Sequence, residues 1–300
     1  TEAKEPSDPL MGIDSRFEIR RANGSYLYSN GAAIYCVSNC SGAYLLQNLP
    51  DTDVYTLVIQ QADSWSEDMR VSLVEPTPIN VDGPSFSTQA NFSYQMGLMT
   101  FPATVGQRLE LGVIVPITAN FITNSFWANW VRVSVFDPLG VRVAEVPLCE
   151  SLTGSFDSSS YSEAGCAVTI RSAPVAGNYT VVVRDIHPSF PVEEPIQFIA
   201  TVSTPRQMTT TIDSPPVWLN LNRPGQAGIV AFSGIYGQDL QFNGGAAYNS
   251  SVYFPLTAYQ PNGSVLLAFP SANSAGAIDL PTLPATGQYS LEENADARKI

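Results

Sequence analysis

The sequence predicts an all-β protein built from tandem immunoglobulin-like or jelly-roll-type β-sandwich modules. Three observations predict it. Short runs such as Val131-Arg132-Val133-Ser134-Val135 alternate aliphatic and polar residues, the period of two that a half-buried strand requires. The chain holds 23 Pro and 21 Gly among 300 residues, is rich in Ser, Thr, Asn and Tyr, and shows no long stretch of period 3.6, so helix is expected to be scarce. A strand–turn–strand pattern also recurs at domain spacing. Its turn glycines, Gly24, Gly140 and Gly263, lie 116 and 123 residues apart, and its strand tyrosines, Tyr55, Tyr179 and Tyr289, lie 124 and 110 apart. A repeat of that length is a domain.

The elements follow in chain order. Residues 1–78 read as a partial module: a strand at Phe17-Glu18-Ile19, an Ala22-Asn23-Gly24 turn, a strand over Val54–Ile59, and a closing run at Met69–Val74. Glu75-Pro76-Thr77-Pro78 ends it, because two closely spaced prolines cannot continue a ladder. Residues 79–205 read as a complete module. It opens at Asn91–Met96, turns at Gly106-Gln107 into the strand Leu109–Val113, reverses at Asp137-Pro138-Leu139-Gly140, and closes with Thr180–Val183 and Pro195–Val202. Residues 206–300 read as a third module with a strand and turn at Pro216–Gln226, a strand at Ile229–Gly234, the Gly237-Gln238 turn, the Pro261-Asn262-Gly263 turn and the Tyr289 strand. By this spacing the first module lacks its first half and the third lacks its closing strand. The simplest expectation is that these 300 residues are a piece of a longer chain; the sharper one is that neighbouring copies complete each other head to tail by strand addition at unpaired sheet edges.

Composition narrows the function classes. With 44% hydrophobic residues the chain can bury two or three cores. Its net charge is −13, and only 14 Lys and Arg are scattered along it, which argues against nucleic acid, since a phosphate backbone requires clustered basic residues. No segment approaches the roughly 20 apolar residues of a membrane span, and Thr1–Pro6 has neither the basic head nor the apolar run of a signal peptide. The four cysteines form two local pairs, Cys36 with Cys40 and Cys149 with Cys166. No histidine lies near either, so two disulfides in an oxidising compartment are expected rather than a metal site.

Little in the chain suggests catalysis. His187 is the only histidine and sits in a Pro-rich connector, and no Gly-x-Ser-x-Gly elbow, phosphate-binding loop or zinc motif accompanies it. The acidic pairs Glu67-Asp68, Glu193-Glu194 and Glu292-Glu293 lack an Asp-x-Asp loop and read as solvated surface in preference to calcium ligands. Six Asn-x-Ser/Thr sequons occur, at Asn23, Asn39, Asn91, Asn178, Asn249 and Asn262, of which Asn23 and Asn262 are accounted for by turn geometry. Phe121, Phe126, Trp127 and Trp130 fall within ten residues of one another. They form either a ligand platform for glycans or rings that fill a sandwich.

At Asn222-Arg223-Pro224-Gly225-Gln226-Ala227, Phe232-Ser233-Gly234, Gly237-Gln238, Tyr259–Ser264 and Leu280–Tyr289 the chain resembles a known repeat. It is similar to the β-sandwich repeats, related to bacterial pre-peptidase C-terminal domains, that precede the Rhs repeat region of large secreted bacterial proteins. The likeness is fullest over residues 216–291, weaker over 86–202 and partial over 17–74. The third module departs from the first two in having no cysteine pair, and the Tyr-Asp motifs of an Rhs shell are absent. The resemblance implies non-catalytic spacer or adhesive modules. The expectation is therefore a secreted or cell-surface, non-enzymatic structural or adhesive array, with no cofactor and no metal; the alternative is a carbohydrate-binding accessory region of an extracellular hydrolase.

Overall fold

The structure is a computed structural model. It describes residues 15–34, 46, 49, 52–61, 73–90, 97–116, 131–146, 149–151, 163–185, 196–245, 254–272 and 275–293. Among these, all regular structure is β, as the alternation and the turn residues predict.

The first module contributes β1 (Ser15–Arg20), β2 (Tyr26–Ile34) and β3 (Thr56–Gln61), one antiparallel sheet in the order β2-β1-β3. Gly24, at φ 81°, supplies the left-handed residue of the β1–β2 reversal, and the Asn23 carboxamide accepts hydrogen bonds from the Ser25 N–H (2.9 Å) and hydroxyl (2.6 Å). Ile19 is buried, whereas Leu57 on the same sheet is 40% exposed.

The second module is a two-sheet sandwich. Its strands are β4 (Thr77–Pro78), β5 (Phe86–Ala90), β6 (Gly97–Ala103), β7 (Leu109–Pro116), β8 (Val131–Phe136), β9 (Arg142–Val146), β10 (Glu150–Ser151), β11 (Glu163–Ile170), β12 (Gly177–Asp185) and β13 (Ile196–Ser203). One sheet runs β4-β6-β12-β8-β9 and the other β10-β11-β7-β13-β5. Alternate residues of each point inward: Met99 and Phe101, Leu109, Leu111 and Val113, Val133 and Val135, Tyr179, Val181 and Val183, and Phe198, Ala200 and Val202 form one buried cluster. Each Val, Leu, Phe or Met among them contributes about 1.5–3 kcal/mol when fully withdrawn from water. Thr77–Pro78, expected to end the first module, instead form a parallel edge strand beside Met99 and Thr100. A proline is tolerated there because an edge strand needs donors on one side only.

The third module contains β14 (Arg206–Thr209), β15 (Gly228–Gly234), β16 (Gln241–Gly245), β17 (Phe254–Tyr259), β18 (Val265–Ala272), β19 (Ala275–Asp279) and β20 (Gly287–Glu293). Its larger sheet runs β14-β15-β20-β17-β18, and β16 pairs with β19. The strand expected within Pro216–Gln226 does not form. That segment is irregular and ends in a turn in which Gln226 N–H donates to the Arg223 carbonyl, and Trp218 is 72% exposed.

The same strand register recurs in three places along the chain. Ile19 pairs with Leu57, Val135 with Val181 and Ala258 with Leu291, each at the same distance before its turn glycine. Tyr179 and Tyr289 stack on Phe101 and Phe232, with ring centroids 5.6 and 5.5 Å apart. Each hydroxyl donates to a carbonyl four residues back, Val175 or Ala285, at 2.7 Å. A tyrosine at this corner buries its ring without stranding its polar tip. The Gly-Gln turns also repeat: the carboxamides of Gln107 and Gln238 accept from the backbone N–H groups of Thr104 and Ile235.

Candidate functional site

The cysteine pair Cys149–Cys166 is a disulfide, with Cα atoms 4.8 Å apart. β10 and β11 pair Glu150 with Gly165 and Ser151 with Ala164, so continuing the register by one residue sets Cys149 opposite Cys166. Both are buried in the sandwich core, and the Cys149 N–H donates to Val131 O at 2.9 Å. The bridge thus joins a two-residue strand to the inner face of β11. Replacing both cysteines by serine is expected to cost about 3 kcal/mol from loop entropy, plus desolvation of two hydroxyls. Chemical denaturation under non-reducing conditions measures it.

Cys36 and Cys40, the candidate platform Phe121, Phe126, Trp127 and Trp130, and His187 lie outside the described residues, as do Glu67, Asp68, Glu193 and Glu194. Among the described residues no group of three His, Cys, Asp or Glu is placed to hold a metal ion. Glu292, expected on a solvated face, is instead buried. Its position leads to a polar assembly at the junction of the second and third modules.

The outer face of β7 carries Glu110 and Gly112, because Leu109, Leu111 and Val113 point inward. Gly112 lies against the Pro224-Gly225 turn so closely that a Cβ there would run into the Pro224 carbonyl, and a Cβ on Gly225 would stand 2.6 Å from the Gly112 Cα. On β13, Thr201 donates its hydroxyl proton to that same carbonyl at 2.8 Å. Arg223 donates to the Ser203 hydroxyl at 2.6 Å and the Val202 carbonyl at 3.1 Å, and the Gln226 carboxamide donates to Thr204 O at 3.2 Å.

Beside this turn sits an ion cluster. Arg108 lies 3.0 Å from the Glu110 carboxylate and 2.8 Å from that of Glu292 on β20, so one guanidinium bridges two modules. Thr169 on β11 donates to the other Glu110 oxygen at 2.5 Å. Arg171, just beyond β11, donates to the Tyr259 hydroxyl on β17 at 2.7 Å. Glu110 is fully buried. Burial pushes its carboxyl above the usual carboxylate range, against the opposing pull of the Thr169 hydroxyl and Arg108. Burial also opposes the charge on Arg108, and the hydrogen bond and charge of Glu292, with the charge of Glu110, more than offset this and hold it above its ordinary value.

A carboxyl whose folded pKa is raised binds its proton more tightly in the native state, so its contribution to stability falls as pH rises through the window above its unfolded value. Glu110→Gln is therefore expected to remove that loss and flatten the stability profile over mildly acidic pH, while Arg108 and Glu292 remain paired one to one. Denaturation midpoints from pH 4 to pH 7 check this; a steeper profile in the variant would contradict it.

No motif in the sequence marks Arg108, Glu110, Arg171, Arg223 and Tyr259 as one site. The available signal was Gly106-Gln107-Arg108-Leu109-Glu110-Leu111-Gly112: a strand whose outward row ends in glycine marks a place where another backbone approaches.

Fold and site define the class: a tandem β-sandwich protein in which the outer sheet surfaces of two modules are joined by a buried polar junction. Comparisons with known proteins add no family. No protein-family model matches the chain, and no curated protein matches it. Among solved structures, the CUB1-EGF-CUB2 region of rat MASP-1 aligns at 10% identity and TM-score 0.21, over 74% of this chain and 95% of that one. The STIV major capsid structure aligns at 8% identity and TM-score 0.23, over 72% and 97%. The M60 catalytic domain with CBM51 domains of Clostridium perfringens ZmpB aligns at 9% and 0.21, over 99% of this chain and 54% of that one.

Proposed function

We propose that the protein is a secreted or cell-surface, non-enzymatic structural array, a stalk, scaffold or filament subunit of the kind its resemblance to pre-peptidase C-terminal-type repeats implies. The observation that carries this reading is the junction of the second and third modules. It seats the Pro224-Gly225 turn of the third module on the glycine of the β7 face, and it desolvates Arg108 between two carboxylates, one from each module. Such a contact fixes one sandwich against the next, a spacer's requirement, whereas a binding module commonly presents its loops to a ligand. The core disulfide fits an oxidising compartment. Among the described residues no helix is long and apolar enough to cross a membrane.

The test has two arms. Antibody against the chain should label intact, unpermeabilised source cells or their medium, and purified protein should show no hydrolytic activity. Labelling only after permeabilisation would sink the extracellular reading. Glycan-array binding that disappears in Trp127→Ala would replace the structural role with the carbohydrate-binding alternative.

A further inference from the structure

The faces that meet between the second and third modules have counterparts, with different side chains, on the third and first modules. One partner surface is the outer face of β17 and β20, with Tyr259 and Glu292; the other is the outer face of β7 and β11, with Arg108, Glu110, Thr169 and Arg171. Register transfers both surfaces to other modules. Glu110 pairs with Thr169 across β7 and β11, as Gln241 pairs with Asp279 across β16 and β19. The Gly-Gln turns then place Asp239 at the position of Arg108. The third module therefore has a face in the same place, acidic and polar, with Asp239 where Arg108 stands and Asn243 where Gly112 stands. Here Asp239, Gln241, Asn243, Asp279 and Thr282 are exposed, with Gln241 donating to Asp279 at 2.7 Å and Thr282 to Asp239 at 2.6 Å.

The first-module counterpart of the β17–β20 face is the outer face of β1 and β3, with Arg20 where Tyr259 stands and Val58 where Glu292 stands. Arg20 stands one residue before the four-residue turn that Arg21 opens, as Tyr259 stands before the turn that Gln260 opens. Arg20 lies over the exposed Tyr26 ring at 4.9 Å and pairs with Glu18 two residues away at 2.6 Å. The junction already described uses the same device, an arginine held by a carboxylate two positions along its strand and reaching to a carboxylate of the neighbouring module.

Charge fits the two surfaces to each other. Arg16-Phe17-Glu18-Ile19-Arg20-Arg21 holds three arginines in six residues, whereas residues 224–297 contain no Lys or Arg at all. We propose that the outer face of β16 and β19 in the third module is a docking surface for a second copy of this chain, whose first-module β1 face brings Arg20 against Asp239 and Asp279. The contact is head to tail, so it leaves one accepting and one donating surface free on every assembly. It rests on the structural reading above and extends it from modules to whole chains.

Sedimentation velocity over a wide concentration range, at low and high salt, tests it. The wild-type chain should show a mass rising in steps of its 32.3 kDa monomer, weakened by salt. Arg20→Glu and Asp279→Lys should each weaken self-association roughly tenfold or more, as reversal of a charge facing an opposite charge does. Because the contact is head to tail, mixing the two variants restores pairing through the intact Arg20 of one and the intact Asp279 of the other. Far-UV circular dichroism of both variants should match the wild type, and two sites on different modules guard against a folding artefact at either. A wild-type chain monomeric at all concentrations overturns the proposal, as does association that both reversals leave unchanged. The first result leaves the structural reading standing if the second and third modules still unfold as a coupled pair in calorimetry.

Discussion

Gly112→Val is expected to break the second and third sandwiches apart while leaving the second folded. A valine side chain at that position meets the Pro224 carbonyl and the backbone N–H of Gly225 at once. Overpacking a yielding core costs about 1–3 kcal/mol. Here the obstacle is backbone on both sides, and Gly225 at φ 67° cannot shift without giving up the left-handed conformation that its turn uses. Relief comes from withdrawing the turn, which removes the Thr201 and Arg223 hydrogen bonds and leaves Arg108 and Glu292 apart. Calorimetry should show the coupled transition of the two modules resolving into two, and small-angle scattering should show a broader distance distribution. Gly112→Ala gives the graded control, since its single methyl meets the same carbonyl. A valine variant indistinguishable from wild type in both measurements would mean that the junction does not hold the modules together.

Phe101→Ala is expected to destabilise the second sandwich by about 3–5 kcal/mol, the cost of removing a fully buried aromatic side chain. Phe101 is fully buried, touches the core from β6, and stacks on Tyr179 across the β6–β12 pair with planes 14° apart. The cavity is hard to close, because its walls are strands whose register is fixed on both sides. Tyr179→Phe should cost less, about 1–3 kcal/mol, because it strands the Val175 carbonyl without opening a cavity. Urea denaturation followed by circular dichroism ranks the two. Equal effects would show that the hydroxyl, rather than the ring stack, fixes this corner.

Strands with one dry face were readable before any coordinates. Val131–Phe136 alternates apolar and polar residues, Thr180–Val183 and Ile229–Gly234 are short apolar runs next to turn residues, and a strand forms over each. The turn glycines were equally plain, because a φ near 80° leaves few other residues available. Misreadings occurred where a local rule met a tertiary partner. Two prolines near residue 77 satisfy the local rule for a stop, yet the sheet edge accepts Pro78. Trp218, Leu219 and Leu221 look like a strand in sequence, but they run as irregular chain leading into the Pro224-Gly225 turn. Glu292-Glu293 carries the composition of a solvated surface, and only the approach of Arg108 from another module makes burial of Glu292 affordable.

The sequence by itself determined the class of structure, the three-fold recurrence of the unit, and the pairing of Cys149 with Cys166. All are properties of residues near each other in the chain or of a pattern copied along it, and short-range stereochemistry writes both into the order of residues. Which surface of one sandwich meets which surface of the next was decided only in the tertiary structure. Arg108 and Glu292 lie 184 residues apart in the chain, and nothing in either local pattern names the other. The partner of a strand's outward face is selected by shape and charge after the sheets have closed, and that information resides in the folded surfaces alone.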